Sequence, residues 1–223
     1  GIPRKNIASF LGKPLICWSI EVALASQYID RVIVSTDDPE IAEIAITAGA
    51  EVPFLRPPEL STDLVMDYPV VRHCLDYVRH SEDYAPDLVV QLRPTSPLRT
   101  PELVDDAIER LLKTESAESL RVVCESPANP YKMWTIRGAL MEPLIQTQIF
   151  EQFNQPRQSL PTTYWQIGTL DVVRTETVLK KESLSGDQIM PYVVDQSWIC
   201  DIDDADSLEW AEHVCRRHGM GET

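Results

Sequence analysis

Asp87-Leu-Val-Val-Gln-Leu92, then Arg93-Pro-Thr-Ser-Pro-Leu-Arg-Thr100, then Pro101 and a helical run to Lys113 form the stretch that decides the fold. The apolar hexad reads as a strongly buried strand. Two prolines flanking two hydroxyls make a rigid, hydrogen-bonding turn. Thr100-Pro101 is a good helix start. The same rhythm repeats on both sides. Upstream come a helix over 13–25, a β-branched strand at Arg31-Val-Ile-Val-Ser35, and a helix capped by Asp38 with Pro39 behind it. Gly49 ends that helix; an extended segment at 51–55 and a helix over 68–80 follow. Downstream a strand is expected at 120–124. This β-α alternation predicts an α/β fold with an open, mostly parallel sheet and helices on both faces. Such sheets bind ligands beyond the carboxyl ends of their strands. From Ala128 to Thr163 the rhythm gives way to Pro, Gln and aromatics, which reads as an inserted arm, a lid or an oligomer contact. Strands at 165–174 and 188–194 and a closing helix over 204–217 complete one domain over 1–223.

A formal net charge of −15 argues against nucleic-acid binding, which needs a basic footprint. A nucleotide substrate remains compatible, because a few local cations plus a metal suffice. The five cysteines are dispersed without a CxxC, so reduced thiols in the cytoplasm are expected. No apolar run approaches the ~18 residues that a membrane span needs.

Four stretches carry candidate chemistry. Gly1-Ile-Pro-Arg-Lys-Asn-Ile7 reads as the second half of a phosphate-binding loop, with Arg4, Lys5 and Asn6, joined by Lys13, as its polar groups. The bland alternative is a solvated basic loop. Arg56-Pro-Pro-Glu-Leu-Ser-Thr-Asp63 follows a strand, and its arginine offers a rigid fork for a base carbonyl or phosphate. A proline-stiffened surface loop is the other reading. In the third stretch Gln91 and Arg93 share a face if the strand continues. With Thr95 and Ser96 they give more donors than a turn requires. The fourth is Asp201-Ile-Asp-Asp-Ala-Asp206. If a strand ends here, Asp201 and Asp203 project on one side while Ile202 enters the core. That pair is a hard-oxygen seat for Mg²⁺. N-capping of the last helix by Asp203 or Asp204 is the alternative, and Asp204 can cap while the other two hold metal. His73 and His80 have no ligand partner at a suitable offset, and no Ser-His-Asp set can be assembled.

Together these stretches resemble the acylneuraminate cytidylyltransferases, the CMP-sialic acid synthetase family. The resemblance rests on Gly1 to Asn6, Arg56 to Asp63, Arg93-Pro-Thr-Ser-Pro-Leu-Arg99, Gln155-Pro-Arg-Gln-Ser-Leu-Pro161 and Asp201-Ile-Asp203, in that order. It implies a Rossmann-like, nucleotide-diphospho-sugar transferase-like domain with a protruding dimerisation arm at 128–163. It also implies a cytoplasmic homodimer that uses Mg²⁺ to join CTP to a nonulosonic sugar acid, with no nucleic acid or membrane partner. By resemblance Lys5 holds the triphosphate, Asn6 and Arg56 bind the cytidine nucleotide, and Asp201 and Asp203 bind the metal. Arg4, Gln91, Arg93, Thr95, Ser96, Gln166 and Gly168 would line the substrate site. Lys132 and Arg157 would reach across the dimer.

The chain departs from the family pattern at three places. The remainder of the leading loop and a central first strand are expected to precede Gly1. Arg93 stands where many sialate enzymes carry glutamine. Gln166-Ile167-Gly168-Thr169 stands where they carry Asn-Gly-Ala, so Ile167 replaces a sugar-binding asparagine and a related nonulosonate becomes as good an expectation as N-acetylneuraminate. Two rivals stay open: another nucleotidyltransferase of this fold with a different sugar, and a non-catalytic relative.

Overall fold

Leu11 (φ 47°) and Gly12 (φ 85°) are both left-handed, as the two-residue turn of a right-twisted hairpin requires. They reverse the chain between β1 (Ser9–Phe10) and β2 (Lys13–Pro14). The computed structural model describes residues 2–221, so Gly1, the start of the loop read above, lies outside the described residues. The hairpin takes the first residues of the helix expected from Lys13, and α1 runs Leu15–Ala25.

The expected strand at 31–35 forms only a parallel bridge, Ile33 to Glu51. Val34 N–H donates to Glu51 O (2.9 Å) and Glu51 N–H to Val32 O (2.7 Å). Pro53 occupies the position that would donate next, and without an N–H it stops the ladder. Asp38 then caps α2 (Pro39–Thr47), accepting from Glu40 N (2.8 Å) and Ile41 N (3.3 Å).

Next come α3 (Asp67–Ser81), β3 (Leu88–Gln91), α4 (Pro101–Lys113) and β4 (Ser119–Glu125). β5 (Trp134–Arg137) and β6 (Leu140–Pro143) form a separate hairpin inside the irregular stretch. β7 (Tyr164–Arg174), α5 (Thr175–Lys181), β8 (Ile189–Val194) and α6 (Ala205–Arg217) follow. The main sheet has the order β3-β7-β4-β8. β7 pairs antiparallel with both neighbours while β4 and β8 are parallel, so the sheet is mixed rather than mostly parallel. The difference arises because β7 is reached from β4 through the irregular stretch and its β5–β6 hairpin, not through a helical crossover.

Alternation along β7 sends successive side chains to opposite faces. Val172 joins Leu120, Val122 and the α4 residues Val104, Ala107, Ile108 and Leu111 on one face. Val173 joins Leu75 of α3 and Val178 of α5 on the other. A further cluster of Phe10, Leu15, Leu98, Cys200, Ile202, Ala211 and Cys215 joins the amino-terminal hairpin to α6. It brings the two ends of the chain together, and with them the first and fourth candidate stretches. Among the described residues no helix is long and apolar enough to cross a membrane.

Candidate active site

Arg4 has φ 54°, a left-handed conformation uncommon for arginine, and it kinks the chain into the turn Lys5–Ile7. The kink sends the two cations to different elements. Arg4 pairs with Glu40 (2.5 Å) and Asp38 (2.8 Å) at the start of α2, and those carboxylates raise its pKa further. Lys5 turns toward the other end of the chain. Its Nζ donates to Ile202 O (2.5 Å) and lies 3.5 Å from Asp203 Oδ1. Asn6 sits half-buried in the same turn. Lys13, grouped with these cations by sequence, is instead drawn to Glu21 and lies 3.5 Å from the Trp18 ring centre.

Ile202 is fully buried, which fixes the acid residues on either side of it at the surface. Its N–H donates to Thr95 O (2.9 Å), so the 93–99 loop holds this segment as an added strand would. Burial, then the charge of Asp203, keeps the Asp201 carboxyl above the usual aspartate range, against the pull of Lys5 and the Thr95 side chain. Two mutually repelling carboxylates beside one ammonium suit a divalent cation. Among the described residues no group of three or more His, Cys, Asp or Glu side chains could hold a metal alone. Asp204 caps α6 in a reciprocal box with Ser207 (Ser207 N to Asp204 Oδ1, 2.8 Å), so capping falls to Asp204 and leaves Asp201 and Asp203 outside it.

A second polar group lies along the sheet. Arg93 donates to Asp171 (2.8 Å) and to Asp67 (2.8 Å), and Gln91 donates to the same Asp67 oxygen (3.0 Å). Gln91 and Arg93 therefore do share a face. Burial works against the Arg93 charge, but Asp171 and then Asp67 outweigh it and raise the pKa. Gln166 donates to Asp171 (3.2 Å) and accepts from Arg121 (2.6 Å). Asp171, Asp67 and Arg121 were not singled out from sequence. A lone acid in Leu170-Asp-Val-Val173 and a lone base in Leu120-Arg-Val-Val123 were the signals available.

Several residues stand apart from both groups. Arg56 is held by Ser61 (3.1 Å) and Asp37 (3.4 Å). Ser96 is buried and donates to Ile167 O (3.3 Å), so its hydroxyl faces the interior. Gly168 has φ 71°, and a Cβ there would meet Ser96 Oγ at 2.9 Å. Ile167 packs in the core with Leu170 and Val172. From this position its apolar side chain makes no polar contact, and Gln166, one residue earlier, carries the polar face of the strand. Lys132 and Arg157 belong to the irregular stretch. Arg157 binds Glu125 (3.0 Å) and Ser126 O (2.8 Å) beside a cleft of about 340 Å³ that also includes Asn129 and Thr163. Neither bonds to the Lys5–Asp203 group among the described residues.

Residues 1–185 match the family described as cytidylyltransferase. The chain is similar to a pseudaminic acid cytidylyltransferase of Campylobacter jejuni, 30% identical over 213 residues that cover 95% of this chain and 89% of that protein. It is also similar to a CMP-N,N'-diacetyllegionaminic acid synthase of Legionella pneumophila, 29% identical over 94% of this chain and 88% of that protein. Its fold resembles that of a CMP:2-keto-3-deoxy-manno-octonic acid synthetase complexed with CTP, with a TM-score of 0.69 at 14% identity, covering 97% of this chain and 93% of the other.

Proposed function

The chain belongs to the cytidylyltransferase family, and from that premise we propose that it joins CTP to a nonulosonic sugar acid, giving a CMP-sugar and pyrophosphate. The observation that carries the reading is the meeting of Lys5 with the Asp201-Ile202-Asp203 segment, 196 to 198 positions away in the chain (201 − 5 to 203 − 5). A triphosphate needs cations at its phosphates and a metal seat within reach, and this corner supplies residues for both.

In the reaction the anomeric hydroxyl of the sugar acid attacks the α-phosphorus of CTP in line and pyrophosphate leaves. Lys5 binds phosphate oxygens, and the ammonium already bonded to a backbone carbonyl is pre-positioned for that task. Asp201 and Asp203 would hold Mg²⁺, which when bound neutralises charge on the phosphates. Asn6 and Arg56 bind the nucleotide, with Arg4 shaping the turn from behind. Gln91, Arg93, Thr95, Gln166 and Gly168 flank the sugar, and the buried Ser96 supports them from below. The Arg93–Asp171–Arg121 group presents fixed donors and acceptors to a polyhydroxylated or amidated substrate. With Ile167 in the core, N-acetylneuraminate stands beside the pseudaminic and legionaminic acids as a candidate. The protein works in the cytoplasm, where CTP is made, as a homodimer in which Lys132 and Arg157 of the partner subunit approach the sugar.

Incubation with CTP, Mg²⁺ and a panel of nonulosonic acids, followed by pyrophosphate release, tests the reading. One or more acids should give turnover that Asp203→Asn lowers by at least about 10²-fold while circular dichroism is unchanged. Full turnover by Asp203→Asn removes the metal assignment, and no turnover with any acid removes the substrate class.

A further inference from the structure

Arg99 is the largest of the fully buried side chains, yet it has no ion pair among the described residues. One terminal nitrogen donates to Ser19 Oγ on α1 (2.7 Å). The other donates to Arg93 O (2.7 Å) and to Ser96 O. Its Nε has no partner. Burial pulls its pKa down to about 9, which still leaves it charged at neutral pH. Burying a cation without a carboxylate is costly, so a fold that does so has a use for the geometry of that group.

The geometry leads to the acid pair. Arg93 O and Ser96 O bracket Thr95. Thr95 O accepts the Ile202 N–H (2.9 Å), and Ile202 O accepts from Lys5 (2.5 Å). Asp201 and Asp203 are the immediate neighbours of the residue held from both sides. We propose that Arg99 is a positioning residue for the reaction: its fork fixes the 93–96 backbone, whose Thr95 carbonyl sets Ile202 and thereby aims Asp201 and Asp203. This rests on the reading of those acids as the metal seat. It assigns the final arginine of Arg93-Pro-Thr-Ser-Pro-Leu-Arg99 a task inside the protein, with no contact to substrate. Lysine keeps the charge but cannot bridge two carbonyls and a hydroxyl with a planar fork.

Arg99→Lys should remain folded and lose about 10²-fold in kcat, since small misplacements of catalytic groups cost that much. KM for CTP should change by less than about 3-fold, because Asn6 and Arg56 are untouched. By NMR hydrogen exchange the Ile202 amide should exchange about 10-fold faster, while amides of β4 and α4 keep their rates. Ser19→Ala, a milder loosening of the same fork, should move kcat and Ile202 exchange the same way by about 3-fold, and it decides the matter if Arg99→Lys does not fold. An unchanged kcat and Ile202 exchange overturns the proposal. So does a uniform acceleration of all amides with kcat restored at a temperature where variant and wild type are equally stable. If the wild type turns over no sugar acid, the functional reading fails while Ile202 exchange still judges the clamp.

Discussion

At the scale of single residues, the site depends on side chains whose neighbours in sequence face the other way. Gly168 is the sharpest case. Its φ of 71° is left-handed, and an added Cβ would lie 2.9 Å from Ser96 Oγ. Gly168→Ala should cost about 1–3 kcal/mol of stability in urea unfolding, from backbone strain plus contact. Removing the hydroxyl as well, in Gly168→Ala with Ser96→Ala, should recover part of that loss. Equal stability of Gly168→Ala and wild type would show that the strand relaxes without cost. Residue-level chemistry was partly legible in the sequence. The Lys5 and Asp201-Ile-Asp203 motifs could be read as strings, and the structure brings them into contact. The string alone does not say which of Gln166 and Ile167 faces the polar group; alternation along β7 puts Ile167 in the core and Gln166 beside Asp171. The burial of Arg99 is not legible in the string, because one of its partners, Ser19, lies 80 positions away in the chain.

At the scale of elements, local start signals held, whereas the strand expected at 31–35 gave only a bridge and long-range pairings were not encoded. The β3–loop–α4 unit and the capped α6 were legible because each start signal lies within a few residues of what it caps: Thr100 to Leu103 N (3.2 Å), Asp204 to Ser207 N (2.8 Å). The β1–β2 hairpin, the seven-residue α5 and the direction of β7 were not, since hydrophobic rhythm does not encode which strand pairs with which. One such long-range junction gives a pH-dependent prediction. Glu118, just before β4, binds Lys181, the last residue of α5, and the backbone N–H groups of Asp187 and Gln188 ahead of β8. Lys181 first, and then those amides, hold its carboxyl down at about 2, against 4.5 for a free glutamate. A depressed acid contributes stability above its unfolded pKa and loses it as pH falls through the folded value. The junction should therefore weaken between pH 4.5 and about 2. Glu118→Gln should be less stable than wild type at pH 6, and the gap should narrow on acidification through that window. A gap that is constant with pH would mean the carboxylate is not charged in the fold.

At the scale of the whole molecule, the irregular stretch presents more apolar surface than the rest of the fold explains. Ile136, Leu140 and Phe150 are 77%, 73% and 81% exposed on or beside the β5–β6 hairpin, with Met141 and Leu144 beside them. Ile136 and its register partner Met141 share one face of the hairpin, and an exposed apolar pair of this kind marks a contact surface. A second copy is the occupant we propose, because among the described residues neither Lys132 nor Arg157 bonds to the Lys5–Asp203 corner of its own chain. Sedimentation should give about twice 25.3 kDa, and Ile136→Glu with Met141→Glu should give the monomer. Sharing of the site can be separated from mere pairing by mixing Asp203→Asn with Arg157→Ala after dissociation and reassociation. Each parent should be nearly inactive. Random pairing makes about half the dimers mixed, and each mixed dimer has one site with an intact Asp203 facing an intact Arg157 of the partner subunit. Turnover should rise to about a quarter of wild type. If Arg157 serves its own chain, every site in a mixed dimer keeps one lesion and the mixture stays as inactive as its parents. A dimer without recovery would leave the arm as an assembly device, with the sugar's carboxylate bound by groups on the sheet. The Arg93–Asp171–Arg121 network is then the place to look, because its cations are held by fixed partners within the same chain.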